Sequence, residues 1–145
     1  MAVHLIKLCV GVDSLEELAQ YKAAQAVRGE RELGRCVTWH VTRHMPRRRD
    51  ELLDGGSLYW VIRGYLRARQ RLVDIREIDD DAGRRACVLE LDPQVVRVQA
   101  RARRPFQGWR YLAAGDAPLD LRDGSETADD MPEWMASELR ELGLL

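Results

Sequence analysis

Asp54-Gly55-Gly56-Ser57-Leu58-Tyr59-Trp60-Val61-Ile62-Arg63-Gly64 is a glycine turn feeding a strand with two unlike faces. Side chains alternate along a strand, so Leu58, Trp60 and Ile62 take one face and Tyr59, Val61 and Arg63 the other. The apolar positions, continued through Tyr65, Leu66, Leu72 and Val73, also fit one long helix. Gly64 interrupts that helix and Asp80-Asp81-Ala82-Gly83 is a turn signal, so the reading is strands, with residues 71–78 and 84–91 paired as a hairpin. A continuous rod over residues 58–78 would undo it.

Upstream, residues 3–10 are apolar and β-branched enough for a buried strand closed by Gly11. Ser14 and Glu17 have the spacing of a capping box, and Leu15, Leu18, Ala19, Tyr21 and Val27 supply the apolar positions of a helix that stops at Gly29. Residues 36–42 alternate Cys36, Thr38, His40, Thr42 against Val37, Trp39, Val41, which predicts a strand with the second set turned inward. Pro46 suits the first turn of a short helix running through residues 47–53 to the glycine pair. Its three arginines oppose the helix dipole, which favours anions at that end. Downstream, Val95, Val96 and Val98 open a further strand, and an acidic, aperiodic arm follows residue 112. A final helix is expected from about Met131, with Asp130 as cap and Pro132 in its first turn.

The 145 residues suffice for one core, and 46% hydrophobic with 32% charged residues is a globular balance. No apolar run reaches the ~20 residues of a membrane helix, and no export signal is evident, so a soluble cytoplasmic protein is expected. Cys9, Cys36 and Cys87 are too few and too widely spaced for a disulfide framework. The net charge of −1 hides a division: residues 1–112 carry 21 basic and 15 acidic side chains, residues 113–145 carry 2 and 9. A cationic body with an acidic extension suits a polyanion ligand, self-association, or a tail folded back on the body. The expected organisation is an α+β barrel domain over 1–112 and an acidic arm with a helix over 113–145.

Three stretches resemble a known family: residues 4–11 (HLIKLCVG), residues 51–64 with Arg69-Gln70-Arg71, and residues 104–112 (RPFQGWRYL). Together they are similar to a bacterial family catalogued as a domain of unknown function, number 1489, over nearly the whole chain to about Leu121. The order strand, helix, strand, short helix, meander also resembles PUA-like domains of the ASCH and EVE kind. That second resemblance implies a small mixed or antiparallel β-barrel with flanking helices, and RNA or a modified base as ligand. ASCH-type amidohydrolases use a lysine, a threonine and a glutamate; here Lys7 and Lys22 are the lysines, and neither has a threonine beside it in sequence.

The candidate nucleic-acid surface is Arg47, Arg49, Arg63, Arg69, Arg71, Arg104 and Arg110 with Tyr59, Phe106 and Trp109. Guanidinium groups grip phosphates bidentately and flat rings stack on unpaired bases. The competing interpretation is solvated arginines in an arginine-rich chain, with Trp109 and Phe106 capping one end of the barrel. An alternative function is hydrolysis of a nucleoside or small amide, with Glu51, Asp54 or His44 as acid or base. Another is protein interaction through the acidic C-terminal segment. Cys36, His40 and His44 are four apart, which on a strand spreads them over roughly 20 Å or more, so no metal is assigned. No cofactor is predicted, and Asp79, Asp80 and Asp81 read as a hairpin tip.

Overall fold

The computed structural model describes residues 3–121, which form an α+β fold. The elements are β1 (Val3–Leu8), α1 (Leu15–Leu33), β2 (Thr38–Thr42), α2 (Arg49–Leu53), β3 (Ser57–Ile62), β4 (Tyr65–Asp79), β5 (Arg85–Leu91), β6 (Val96–Ala102) and β7 (Trp109–Ala113). A single 3-10 turn, Ala114–Asp116, follows β7. The helix expected from about Met131 lies outside the described residues.

The seven strands form one mixed sheet; six follow the order β2-β5-β4-β3-β1-β7, and β6 lies off this path, paired with β4. β1 and β3 run parallel, joined by the crossover that contains α1, β2 and α2; the other pairs are antiparallel. Residues 58–78 are no rod. Ile62 pairs with Tyr65 across Arg63 and Gly64, whose φ angles of 50° and 82° are those of a two-residue hairpin turn. β4 is one strand of 15 residues where separate strands were expected. One edge of its first half pairs with β3, and the other edge holds β6 beside that half and β5 beside the second.

β3 is central and buried throughout. Leu58, Trp60 and Ile62 join Leu5, Leu18, Leu52 and Leu89 in the larger core, while Tyr59 and Val61 join Ile6, Leu66 and Leu112 on the opposite face. The alternation read from sequence therefore holds, with both faces covered.

The sheet is not closed into the expected barrel. Closure would require the end strands β2 and β7 to pair; instead α1 blunts the free edge of β2. The Trp39 N–H donates to Gln25 Oε1 at 2.9 Å, and the Trp39 carbonyl accepts from Lys22 Nζ at 2.9 Å. Two helical side chains thus supply the hydrogen bonds that a neighbouring strand would have made.

Two local expectations are corrected. Gly29 does not stop α1, which runs on to Gly34 in a left-handed cap at φ 71°. Gly29 is a contact glycine: a Cβ there would stand 2.7 Å from the Val37 carbonyl oxygen. Just before β2, Val37 is buried and Cys36 exposed as expected, but within β2 the faces are inverted. Thr38 and Thr42 are buried and Val41 is half exposed, because Thr38, His40 and Thr42 lie opposite Leu91, Leu89 and Cys87 of the core. Burying a threonine needs a partner, and Gln70 provides it, donating to Thr38 Oγ1 at 2.9 Å while accepting from Trp60 Nε1 at 3.0 Å.

The arginines before α2 serve as ties. Helix α2 starts at Arg49 rather than at Pro46. Arg48 pairs with Glu51, and Arg49 bonds the Ile75 carbonyl at 2.8 Å and Asp74 at 2.6 Å, fixing the helix to β4. At the β4–β5 tip, Asp80 Oδ1 accepts from the N–H groups of Ala82 and Arg84, as its turn position implies.

Candidate functional site

The inverted face of β2 opens on a cavity of about 610 Å³ between β1, α1 and β2. That volume is typical of small-molecule sites, which span about 300–1,000 Å³. Leu8, Val10, Val12, Leu18 and Ala86 give it apolar walls, and Lys7, Lys22, His40, Thr42 and Arg43 are its polar groups. Lys7 and Lys22 are the chain's two lysines among 23 basic residues. They meet because β1 ends at the mouth of the cavity and α1 turns its Leu18-Lys22-Gln25-Ala26-Gly29 stripe inward.

Lys22 is the unusual group. Its residue is 2% exposed, and its partners among the described residues are two carbonyl oxygens and two ring faces. Nζ lies 2.9 Å from Trp39 O, 3.2 Å from Gln25 Oε1, 5.2 Å from the Trp60 ring centre and 5.5 Å from that of Tyr21. These groups stabilise a cation through dipoles and ring quadrupoles but do not neutralise it. Burial consequently lowers the lysine to about 8.

His40 stands edge-on to Trp60 at 5.2 Å, and its Nε2 has no partner among the described residues. Burial, then the charges of Lys7 and Lys22, holds it down to about 4, so it is neutral at physiological pH. Burial raises the nearby Cys9 thiol to about 11 against the pull of both lysines, which rules out a ready thiolate. Arg43 faces Asp80 across 3.7 Å at the rim. The cavity therefore holds three cationic side chains against one carboxylate, and tilts toward an anionic ligand.

The ten residues named from sequence do not gather here. Tyr59 and Arg69 line a smaller cleft of about 330 Å³ on the other face of the sheet. There Arg69 grips Asp120 through two bonds of 2.8 and 2.7 Å and donates to Ser57 Oγ at 3.1 Å. Arg110 lies over Phe106, 5.7 Å from its centre. Trp109 packs edge-on against Tyr111 at 4.9 Å and donates to the His44 carbonyl at 2.8 Å. The Arg47 N–H donates to the Tyr111 hydroxyl at 3.0 Å. Arg49 is the α2 tie, Arg63 forms the β3–β4 turn, and Arg71 and Arg104 are exposed on β4 and in the β6–β7 loop.

Glu51, Asp54 and His44 do not line the cavity either; Glu51 is engaged by Arg48 and Asp54 caps α2. By contrast, Thr42, absent from sequence proximity to any lysine, shares the cavity with both of them. Two signals in the sequence pointed to this site. One was the pair of lysines in an otherwise arginine-rich chain; the other was the polar half of the β2 alternation, whose inward orientation only a partner strand reveals.

Fold and site together define an α+β protein with a mixed sheet and a cationic cavity of small-molecule size beside a helix-capped edge strand. The chain belongs to the family described as "Protein of unknown function (DUF1489)", which it matches over residues 5–145. No curated protein and no solved structure matches it. Among the described residues no helix is long and apolar enough to cross a membrane, and no group of three His, Cys, Asp or Glu side chains is placed to hold a metal.

Proposed function

We propose that this chain is a cytoplasmic binding module for a nucleotide, either a modified nucleotide or an unpaired residue of RNA, held in the cavity between β1, α1 and β2. The observation that carries the reading is the convergence of Lys7 and Lys22 on one hollow, with Lys22 buried and lacking a carboxylate partner among the described residues. Such an ammonium is poised to take an anionic group, and a phosphate satisfies it. Tyr21 stands at the rim, 55% exposed, and beside its contact with Lys22 its ring offers a surface on which a base would stack. Arg43 is placed to bind a second phosphate oxygen or the next phosphate.

Titration calorimetry with nucleoside monophosphates and short single-stranded RNA, repeated over a range of salt, tests this reading. Binding should weaken as salt rises, because phosphate contacts displace counterions. Lys22→Met should lower affinity at least about tenfold, the loss expected when a charge-assisted hydrogen bond is removed. Binding by no nucleotide and no RNA, or wild-type affinity in Lys22→Met, refutes it.

One observation favours a second reading. Thr42 and Lys22 line the same cavity, and a lysine titrating at about 8 is in the range of a general base. Hydrolysis of a small amide would then be the activity, and turnover lost in both Thr42→Val and Lys22→Met would establish it.

A further inference from the structure

The edge of β2 is capped at Trp39 and open two residues later. Along an antiparallel strand, alternate residues direct both N–H and C=O to the same side. Trp39 spends both groups on Gln25 and Lys22 of α1, so it faces away from β5. Val41 is two residues on and therefore faces the same way, beyond the reach of those two side chains. No hydrogen bond to this outward edge of Val41 is made among the described residues. Val41 also lines the cavity, between His40 and Thr42, as do Lys22 and Tyr21 of α1.

Building on the nucleotide reading, we propose that the main chain of Val41 reads the Watson–Crick edge of the bound base. The N–H and C=O of an extended residue point outward side by side, as a donor next to an acceptor. Every unpaired nucleobase presents the complementary pair on that edge, an acceptor beside a donor. A base stacked on Tyr21, with its phosphate at Lys22 and Lys7, would make the two hydrogen bonds that the next strand of the sheet would otherwise supply. A base already paired in a duplex has that edge occupied and is excluded. The ligand is thus a free nucleotide or a base turned out of a strand.

The test compares uridine and guanosine 5′-monophosphates with their derivatives methylated on the ring nitrogen of that edge, N3 of uracil and N1 of guanine. Neither methylation adds charge, and both remove the donor. Wild type should bind at least one parent nucleotide about tenfold more tightly than its methylated form, the effect of losing one buried hydrogen bond and leaving its partner bare. 5-Methyluridine monophosphate should bind within about threefold of the parent, because its methyl lies off the edge. Val41→Pro removes the outward N–H and leaves the ladder to β5 intact, a placement that an edge strand tolerates. In that variant the parent nucleotides should bind about tenfold more weakly than to wild type, because the base's acceptor loses the Val41 N–H while its ring N–H keeps the Val41 carbonyl, and inorganic phosphate should bind as it does to wild type.

Equal binding of parent and methylated nucleotides to wild type overturns the inference, and so does a Val41→Pro protein that binds the parent nucleotides as tightly as wild type. If that variant fails to fold, the methylation comparison on wild type decides alone. Failure of nucleotides and inorganic phosphate alike to bind removes the parent reading as well; binding of nucleotides without edge discrimination removes only this inference.

Discussion

Replacing Lys22 by methionine and raising the pH should have overlapping effects, and the overlap measures what burial does to this lysine. In the native state Lys22 releases its proton at about 8, against 10.5 for an ordinary lysine. Between those values the unfolded chain binds more protons than the folded one, so stability rises with pH. Below pH 8 both states are protonated, and the native state carries the whole cost of the buried ammonium, about 3 kcal/mol. By pH 9.5 about 2 kcal/mol of that cost is relieved. Lys22→Met removes the titration and leaves the Trp39 carbonyl without its donor, a loss of about 1–3 kcal/mol that does not depend on pH. The assay is urea unfolding of both proteins at pH 7 and pH 9.5. The stability difference, wild type minus variant, should grow by about 2 kcal/mol in favour of wild type at the higher pH. A difference unchanged between the two pH values would refute the argument, since the lysine would then be titrating as a solvated one.

His40 gives the mirror case at low pH. It is held down to about 4 from 6.5, so stability should be lost as pH falls through that window, by about 3 kcal/mol at pH 4, and a His40→Gln protein should lack this component in acid titrations. Gly29→Ala should destabilise by about 1–3 kcal/mol despite a helix-propensity gain of about 1 kcal/mol, because the new methyl meets the Val37 carbonyl; a higher melting temperature would contradict the packing described. Asp120→Asn should cost under about 1 kcal/mol at pH 7, since the Arg69 pair is partly exposed. Arg69 holds the Asp120 carboxyl below its usual 3.8, so the wild-type advantage should vanish as the pH falls below about 4, as thermal melts of the two proteins would record.

Most of what depends on near neighbours was legible in the chain, the start of α2 at Arg49 and not Pro46 being an exception. The Ser14–Glu17 spacing produces the cap it implies, with the Glu17 N–H donating to Ser14 Oγ at 3.1 Å. Gly64 and the aspartates before Gly83 mark the two hairpin turns, and the alternation of residues 58–62 assigns both faces of the central strand. These features follow from steric and hydrogen-bonding rules that act over a few residues, so a sequence displays them directly. What lies inside could not be read the same way. Thr38 is buried because Gln70, far along the chain, offers it a hydrogen bond; without that partner its polarity argues for solvent. Gly29 looked like a stop because nothing local reveals the Val37 carbonyl that passes over it. Lys22, His40 and Thr42 became one site only when α1 came to rest against the edge of β2, an arrangement set by packing between distant segments. Period and turn chemistry fix which elements form, whereas the partner each edge and face finds decides where the polar groups converge.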